Sequence, residues 1–312
     1  MSAKKYRLVT RSDFDGLICA VLLRELELID DIKFVHPRDV QVGKIPINAN
    51  DITTNLPYAP SAHLVFDHHM SETIRILGKE RPSNHIIDPK APSASRVVYE
   101  YYGGKDRFHN VSEAMILAVD KADSGQFSRE EILFPKGWVL LNYLMDPRTG
   151  LGRFKEFRIS NYDLMMLLID LCKKHTIDEI LQLPDVKERI DLYFQQQKAS
   201  MEQIEKCSKL KSHVVVLDLR NEKDIFTTNR FVIYALYPEC NISIHVLWGL
   251  QKQNTVLAVG KSILDRSSKT NVGELMLKYG GGGHESVGTC QVPNDKADQI
   301  LIEIIEKINE EK

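Results

Sequence analysis

Leu64-Val65-Phe66-Asp67-His68-His69 is the stretch from which the fold of this chain is read. Three consecutive apolar residues suit the end of a strand covered on both faces, as strands of a parallel sheet are. A carboxylate and two imidazoles follow at once. In open α/β sheets ligands bind outside the carboxyl ends of the strands, and imidazole with carboxylate suits a divalent transition metal. Taken by itself, Asp-His-His is better served by an ordinary strand-to-loop junction with a polar cluster in water, since tripeptides recur by accident. A metal centre therefore needs further ligands from elsewhere in the chain.

Upstream, Tyr6 to Thr10 reads as a first strand, and Leu17 to Leu28 carries apolar residues at helical spacing. Between them lies Arg11-Ser12-Asp13-Phe14-Asp15-Gly16, so Gly16 stands at a strand–turn–helix junction where its backbone can turn tightly and approach a ligand. Two carboxylates at a strand end repel unless a cation or a proton lies between them. Helix capping is the plainer role for Asp15 taken alone. Ile32 to Val35 reads as a second strand leading to His36-Pro37-Arg38-Asp39. From Gly43 to Pro60, around Asp51-Ile52-Thr53-Thr54-Asn55, the pattern is mixed. Beyond His69, Asn84 to Ile87 suggests a short strand. Ser93-Ala94-Ser95 opens a helix through about Tyr102 by N-cap chemistry, and Val111 to Ala122 reads as a helix ending at Asp123-Ser124-Gly125. Strands alternating with helices imply parallel pairing through right-handed crossovers.

From Phe154 to Leu210 the pattern is mostly helical. Asp185 to Leu210, without Gly or Pro, reads as one long helix linking two domains. A dimeric coiled coil competes with that reading, but Gln195, Gln196 and Gln197 break its apolar seam. Val214 to Leu217 begins a second domain with a helix over Phe231 to Tyr237, strands at Ile242 to Trp248 and Val256 to Val259, and a closing amphipathic helix from Asn294 to Glu311. Within it stands Gly280-Gly281-Gly282-Gly283-His284. Four successive glycines suit a loop whose exposed N–H groups cradle an anion, with His284 at its edge and a strand at Val287 to Val292 behind it. A hinge explains the glycines but not the histidine. The expected class is thus α/β in two domains: a parallel-sheet domain over 1–184, a linker helix over 185–211, and a smaller α/β domain over 212–312.

At 312 residues, with 41 basic and 43 acidic side chains, the chain is long enough for two cores and too nearly neutral to coat nucleic acid through a global field. Five cysteines without a C-x-x-C pair point to reduced thiols and a cytoplasmic setting rather than a cysteine zinc site. No apolar run reaches membrane-spanning length, and the first residues carry no apolar signal core, so no membrane partner is expected.

In this order, Asp13-x-Asp15-Gly16, Asp67-His68-His69, Ala122-Asp123-Ser124-Gly125 and the Gly280–His284 loop resemble the DHH phosphoesterases that carry a DHH-associated C-terminal domain. That family includes oligoribonucleases (nanoRNases), cyclic-dinucleotide phosphodiesterases and RecJ-type exonucleases. Exopolyphosphatases share its catalytic domain. The resemblance implies a manganese site of one or two ions, with Mg2+ or another divalent metal as substitute. Asp13 would bind the first ion, and Asp15 and His68 the second. His69 would face the scissile phosphate, and Asp67 would orient the neighbouring imidazole. Asp123 would be the ligand of the fourth motif, with Asp120 its nearby rival. A bridging aspartate is also implied, for which Asp51 is the choice and Asp39 the runner-up.

Many relatives place a histidine four residues before the first aspartate. Here that position is Val9, which cannot ligate. RecJ-type members have an acidic residue nearby where this chain has Arg11, so the first ion is weak or is completed by a group such as His36. The family's chemistry is attack on phosphorus by a water activated between two cations about 3.5–4 Å apart. Gly281, Gly282, Gly283, His284, Lys261 and Arg266 would hold the remote part of the substrate, with Ser93 and Arg96 nearer the reaction. The implied substrates are short oligonucleotides, linear dinucleotides or nucleotide 3′-phosphates. Inorganic polyphosphate is the alternative substrate, and a nucleotide-binding protein with weakened catalysis the alternative class. A homodimer is compatible with all three.

Overall fold

The computed structural model describes residues 4–75 and 80–311. Two compact units emerge, one formed by 1–126 with 135–192 and the other by 127–134 with 193–312. The first unit holds β1 (Tyr6–Arg11), α1 (Phe14–Glu25), β2 (Ile29–Val35), α2 (Pro37–Gln41), β3 (Asp51–Thr54), β4 (Leu64–Asp67), α3 (Met70–Arg75), β5 (His85–Ile87), α4 (Ala94–Tyr101) and α5 (Glu113–Asp123). Its five strands run in the order β2-β1-β3-β4-β5, every pair parallel. Sequential strands joined by helices can pair in no cheaper way, because each parallel neighbour needs a crossover. The α/β class with two units is as the alternation of elements predicts.

The strand of this sheet missed in the sequence is β3. Its residues Asp51, Ile52, Thr53 and Thr54 are all buried, yet only one is apolar, so neither period two nor an apolar run marks it. The polar atoms answer one another instead: Thr54 Oγ1 donates to Thr10 Oγ1 at 2.7 Å, and Thr10 Oγ1 to the Thr54 carbonyl oxygen at 3.2 Å. Such satisfied pairs let hydroxyls sit inside a sheet.

Helix α1 carries the unit's core. Ten of its twelve residues are buried, and it packs on α4, α5 and later helices as well as on β1 and β2. A helix apolar on all sides has to be enclosed. Gly16, in its first turn, lies so close to β1 that an added Cβ would stand 1.9 Å from the Arg11 carbonyl oxygen and 2.8 Å from Thr10 Oγ1. The close approach expected of this glycine is therefore to the strand that precedes it.

Five further helices follow: α6 (Arg129–Leu133), α7 (Gly137–Met145), α8 (Asn161–Lys174), α9 (Ile177–Gln182) and α10 (Pro184–Cys207). The division between units falls within α10, between Leu192 and Tyr193. The expected linker helix ends at Cys207 rather than Leu210, because Ser208–Lys211 turns into an edge strand, β6, antiparallel to β7 (Val214–Asp218).

The second unit continues with α11 (Val232–Leu236), β8 (Ile242–Trp248), β9 (Thr255–Lys261), α12 (Val272–Leu277), β10 (Gly282–His284), β11 (Val287–Val292) and α13 (Ala297–Glu310). Its sheet runs β10-β11-β9-β8-β7-β6, antiparallel except at β7–β8. Alternate residues Val214, Val216, Ile242, Ile244, Val246, Leu257 and Val259 form a core with Met276 of α12 and Ile304 of α13. All five cysteines are free thiols. Among the described residues no helix is long and apolar enough to cross a membrane.

Gly16→Ala is expected to cost about 3 kcal/mol or more, since backbone rather than a movable side chain blocks the methyl group. A thermal melt of this variant that matched the parent's would disprove the close packing of α1 on β1.

Candidate metal centre

The carboxyl ends of β1, β3 and β4 lie side by side in the sheet, and the residues following them converge. Asp13 caps α1: its Oδ1 accepts the Gly16 N–H at 3.0 Å, and its Oδ2 meets Arg11 Nε at 2.8 Å. Asp15 points to a neighbouring helix. It accepts the N–H groups of Ala94 at 3.0 Å and Ser95 at 2.8 Å, together with the Ser95 hydroxyl, at the first turn of α4. Capping is thus divided, Asp13 serving its own helix and Asp15 serving α4. A helix N-terminus favours a carboxylate, yet Asp15 is almost fully buried beside like charges. Burial first, and then the Asp123 carboxylate, push its pKa up to about 7.

His68 follows β4 and Asp123 ends α5. Nδ1 of His68 lies 3.2 Å from the Ala91 carbonyl oxygen, which can only accept, so this nitrogen carries the proton in the neutral ring. Nε2 then presents its lone pair toward Asp123 Oδ2, 2.9 Å away, in an arrangement that lacks hydrogen-bond alignment. Two acceptors at that distance need a proton or a cation between them. In the metal-free protein the proton serves: burial works against the charged ring, but Asp123 and Asp15 prevail and raise His68 to about 9. The same pairing lowers Asp123 against the effect of its burial. Asp15, His68 and Asp123 each offer a ligand atom within 4.8 Å of the others. The oxygen–nitrogen donor set and the unaligned His68 Nε2 fit a divalent transition-metal ion.

The second imidazole has a different task. His69 Nδ1 lies 2.7 Å from Asp67 Oδ1, and Asp67 is wholly buried. Asp67 therefore fixes the ring of His69, while the backbone of Ala91 fixes that of His68. His69 is half-buried, and although burial opposes it, Asp67 raises its pKa.

Several expected residues stand elsewhere. Asp51 opens β3 at the amino end of the sheet, away from the cluster, and cannot bridge ions there. Its carboxylate is bound by Arg7 through Nε and a terminal nitrogen, both at 2.8 Å, and by the Asn48 N–H at 2.7 Å. The residue that reaches the site from β3 is Asn55, just beyond its carboxyl end. Asp39 pairs with Lys44 on α2, and His36 is exposed, with Nδ1 accepting the Arg38 N–H to cap that helix. Asp120 is held by the Ser93 hydroxyl at 2.7 Å and by Arg96 Nε at 2.9 Å, which separates it from Asp123 and occupies both expected substrate contacts.

In the second unit the glycine stretch is not an open loop. Gly282–His284 pair with Thr289, Gly288 and Val287 as the edge strand β10. A Cβ on Gly283 would lie 2.2 Å from the Val287 carbonyl oxygen, and one on Gly281 2.2 Å from that of Thr289. Close sheet packing, rather than an anion cradle, demands these glycines. Lys261 ends β9 beside the hairpin tip, 3.2 Å from Glu285, and exposed Arg266 lies in the segment that follows.

Sequence reading missed Ser95, Asn55 and Arg148. Arg148 sits on Asp146 at 2.7 Å, and although partial desolvation works the other way, the charges of Asp146, Asp13 and Asp123 raise its pKa. Only the N-cap signature at Ser93 hinted at Ser95, and nothing in sequence spacing marks the other two.

No family model and no curated protein matches the chain. Among solved structures it is similar to the pGpG-specific phosphodiesterase PggH from Vibrio cholerae, at 59% identity over 99% of this chain and 100% of that one, with a TM-score of 0.85. The chain belongs to the DHH phosphoesterases. As a member of that family it is a hydrolase of phosphoester bonds. The Mn2+ complex of RecJ from Thermus thermophilus shares its fold at 13% identity, covering 98% of this chain and 52% of that one, with a TM-score of 0.55.

Cation uptake at this centre must displace the protons that His68 and Asp15 carry, so affinity for Mn2+ should rise with pH through about 7 and on toward about 9. Calorimetric titration at stepped pH reads this directly, and a flat profile would contradict the ligand set. Asp51→Asn should cost about 1.5–3 kcal/mol, the range for hydrogen bonds to charged groups, because it breaks the pairing with Arg7. Its Mn2+ affinity should stay at the parent value. A loss of affinity without a loss of stability would return Asp51 to the centre.

Proposed function

We propose that this protein is a divalent-cation-dependent phosphodiesterase of linear dinucleotides, with pGpG as the leading substrate. The observation carrying the reading is the convergence of Asp15, His68 and Asp123 in a chain so similar to PggH over its full length. A divalent ion there, Mn2+ by preference and Mg2+ as substitute, supplies Lewis acidity toward a phosphoryl oxygen and activates water at neutral pH. Asp15, His68 and Asp123 would hold it.

The remaining work falls to the chain's own groups. Asp67 keeps Nδ1 of His69 engaged, so Nε2 is the nitrogen that exchanges a proton with the departing oxygen. Ser95 and the first turn of α4 hold the Asp15 carboxylate in a fixed orientation, so no side-chain search precedes binding. Arg148, partly exposed beside Asp13 and Asp123, offers a guanidinium to the substrate phosphate. Ser93 and Arg96 act indirectly, by holding Asp120 at the start of α4. The reaction belongs to the cytoplasm, where linear dinucleotides occur.

A substrate panel with Mn2+ tests this reading: pGpG, a second dinucleotide, 3′-phosphoadenosine 5′-phosphate and polyphosphate. Release of GMP from pGpG is the expected result, with polyphosphate intact. Phosphate from polyphosphate alone would make the protein an exopolyphosphatase, and nucleotide binding without release would make it a binding protein. Asp15→Asn should reduce turnover to background while the chain stays folded.

A further inference from the structure

The surroundings of Asp13 differ in kind from those of Asp15. Four residues before it, Val9 is fully buried and has no donor atom. Across from it, at the end of β3, Asn55 takes a left-handed backbone conformation at φ 55°, which asparagine tolerates better than most residues. Only 1% of Asn55 is exposed, its Nδ2 lies 3.5 Å from Asp13 Oδ1, and its buried Oδ1 has no hydrogen-bond partner. Neither Val9 nor Asn55 therefore brings a second charged ligand to Asp13. Asp13 is itself already occupied, by the Gly16 N–H on one oxygen and Arg11 Nε on the other.

Charge balance completes the argument. Asp13, Asp15 and Asp123 bring three negative charges into a buried site, and such charges must be compensated where they lie. Arg11 neutralises Asp13. Asp146 offsets Arg148. The two carboxylates left over, Asp15 and Asp123, are those grouped with His68, and one divalent ion cancels them. A second divalent ion would have to expel Arg11 and would leave the site with excess positive charge.

We propose that this enzyme works with a single divalent cation, and that the Arg11 guanidinium, clamped on Asp13, fills the place of a second. Asn55 makes the arrangement permanent by offering an amide where a carboxylate would recruit another ion, and its Oδ1 is left to accept a hydrogen bond from the reacting water or the substrate. The inference rests on the metal-centre reading above, but not on the identity of the substrate.

Metal analysis and calorimetric titration of the whole chain with Mn2+ provide the test, independently of turnover. The parent should bind one ion per chain, with the EPR signal of an isolated ion rather than an exchange-coupled pair. Arg11→Gln should tighten that ion about tenfold, because a neighbouring positive charge is gone. Joining Arg11→Gln with the isosteric Asn55→Asp should admit a second ion. Two ions of comparable affinity in the parent would overturn the proposal, and so would unchanged or weaker binding in Arg11→Gln. Absence of any Mn2+ binding in the parent would instead overturn the metal-centre reading itself. Melting curves of both variants identify any loss of binding that comes from unfolding.

Discussion

Three carboxylates forced together at one end of a parallel sheet are the constraint around which the first unit is arranged. Asp13 and Asp15 come from one turn at the start of α1 and Asp123 from the far end of α5, and left to themselves the three would repel. Each is restrained differently: Asp13 by a guanidinium and its own helix turn, Asp15 by the amino end of α4, Asp123 by an imidazole. The N-terminal turns of α1 and α4 therefore serve both folding and chemistry. Their N–H groups need acceptors in any helix, and here the acceptors are Asp13, which Arg11 neutralises, and Asp15, a member of the cation-binding group.

The fold was largely legible because the sheet is parallel. Strands buried on both faces read as apolar runs, and the helices between them carry their own period, so β1, β2, β4 and α1 announce themselves. β3 did not, since its interior is lined with threonines that satisfy one another across the strand pair. Missing that strand had a direct cost. Asp51 looked like a residue approaching the site, whereas it begins a strand whose far end delivers Asn55. An error of one element thus moved a ligand from one edge of the sheet to the other. Asp67-His68-His69 and Asp123 were readable as motifs. Arg148 was not, because its place depends on where the loop after α7 returns, which no local pattern states.

The glycine stretch shows a second limit of sequence reading. Consecutive glycines signal that backbone must pass close to something, but they do not say to what. Here the neighbour is the chain's own β11, and Gly273 of α12 is hemmed in by the backbone of Gly283 from the other side. A hairpin this thin lets a helix lie almost directly on the strand backbone. β10 is also the edge strand of its sheet.

The excursion of 127–134 into the second unit bears on how the protein is born. Asn229 donates to the Ile132 carbonyl oxygen, Gln197 to that of Leu133, and Ile132 and Leu133 themselves are buried. During synthesis α6 leaves the ribosome well before any of these partners exist. It must wait, greasy side unprotected, until the C-terminal half arrives. A nascent chain stalled in that interval is a natural client for a chaperone. For the same reason, no single cut in the polypeptide separates the two units into self-sufficient halves.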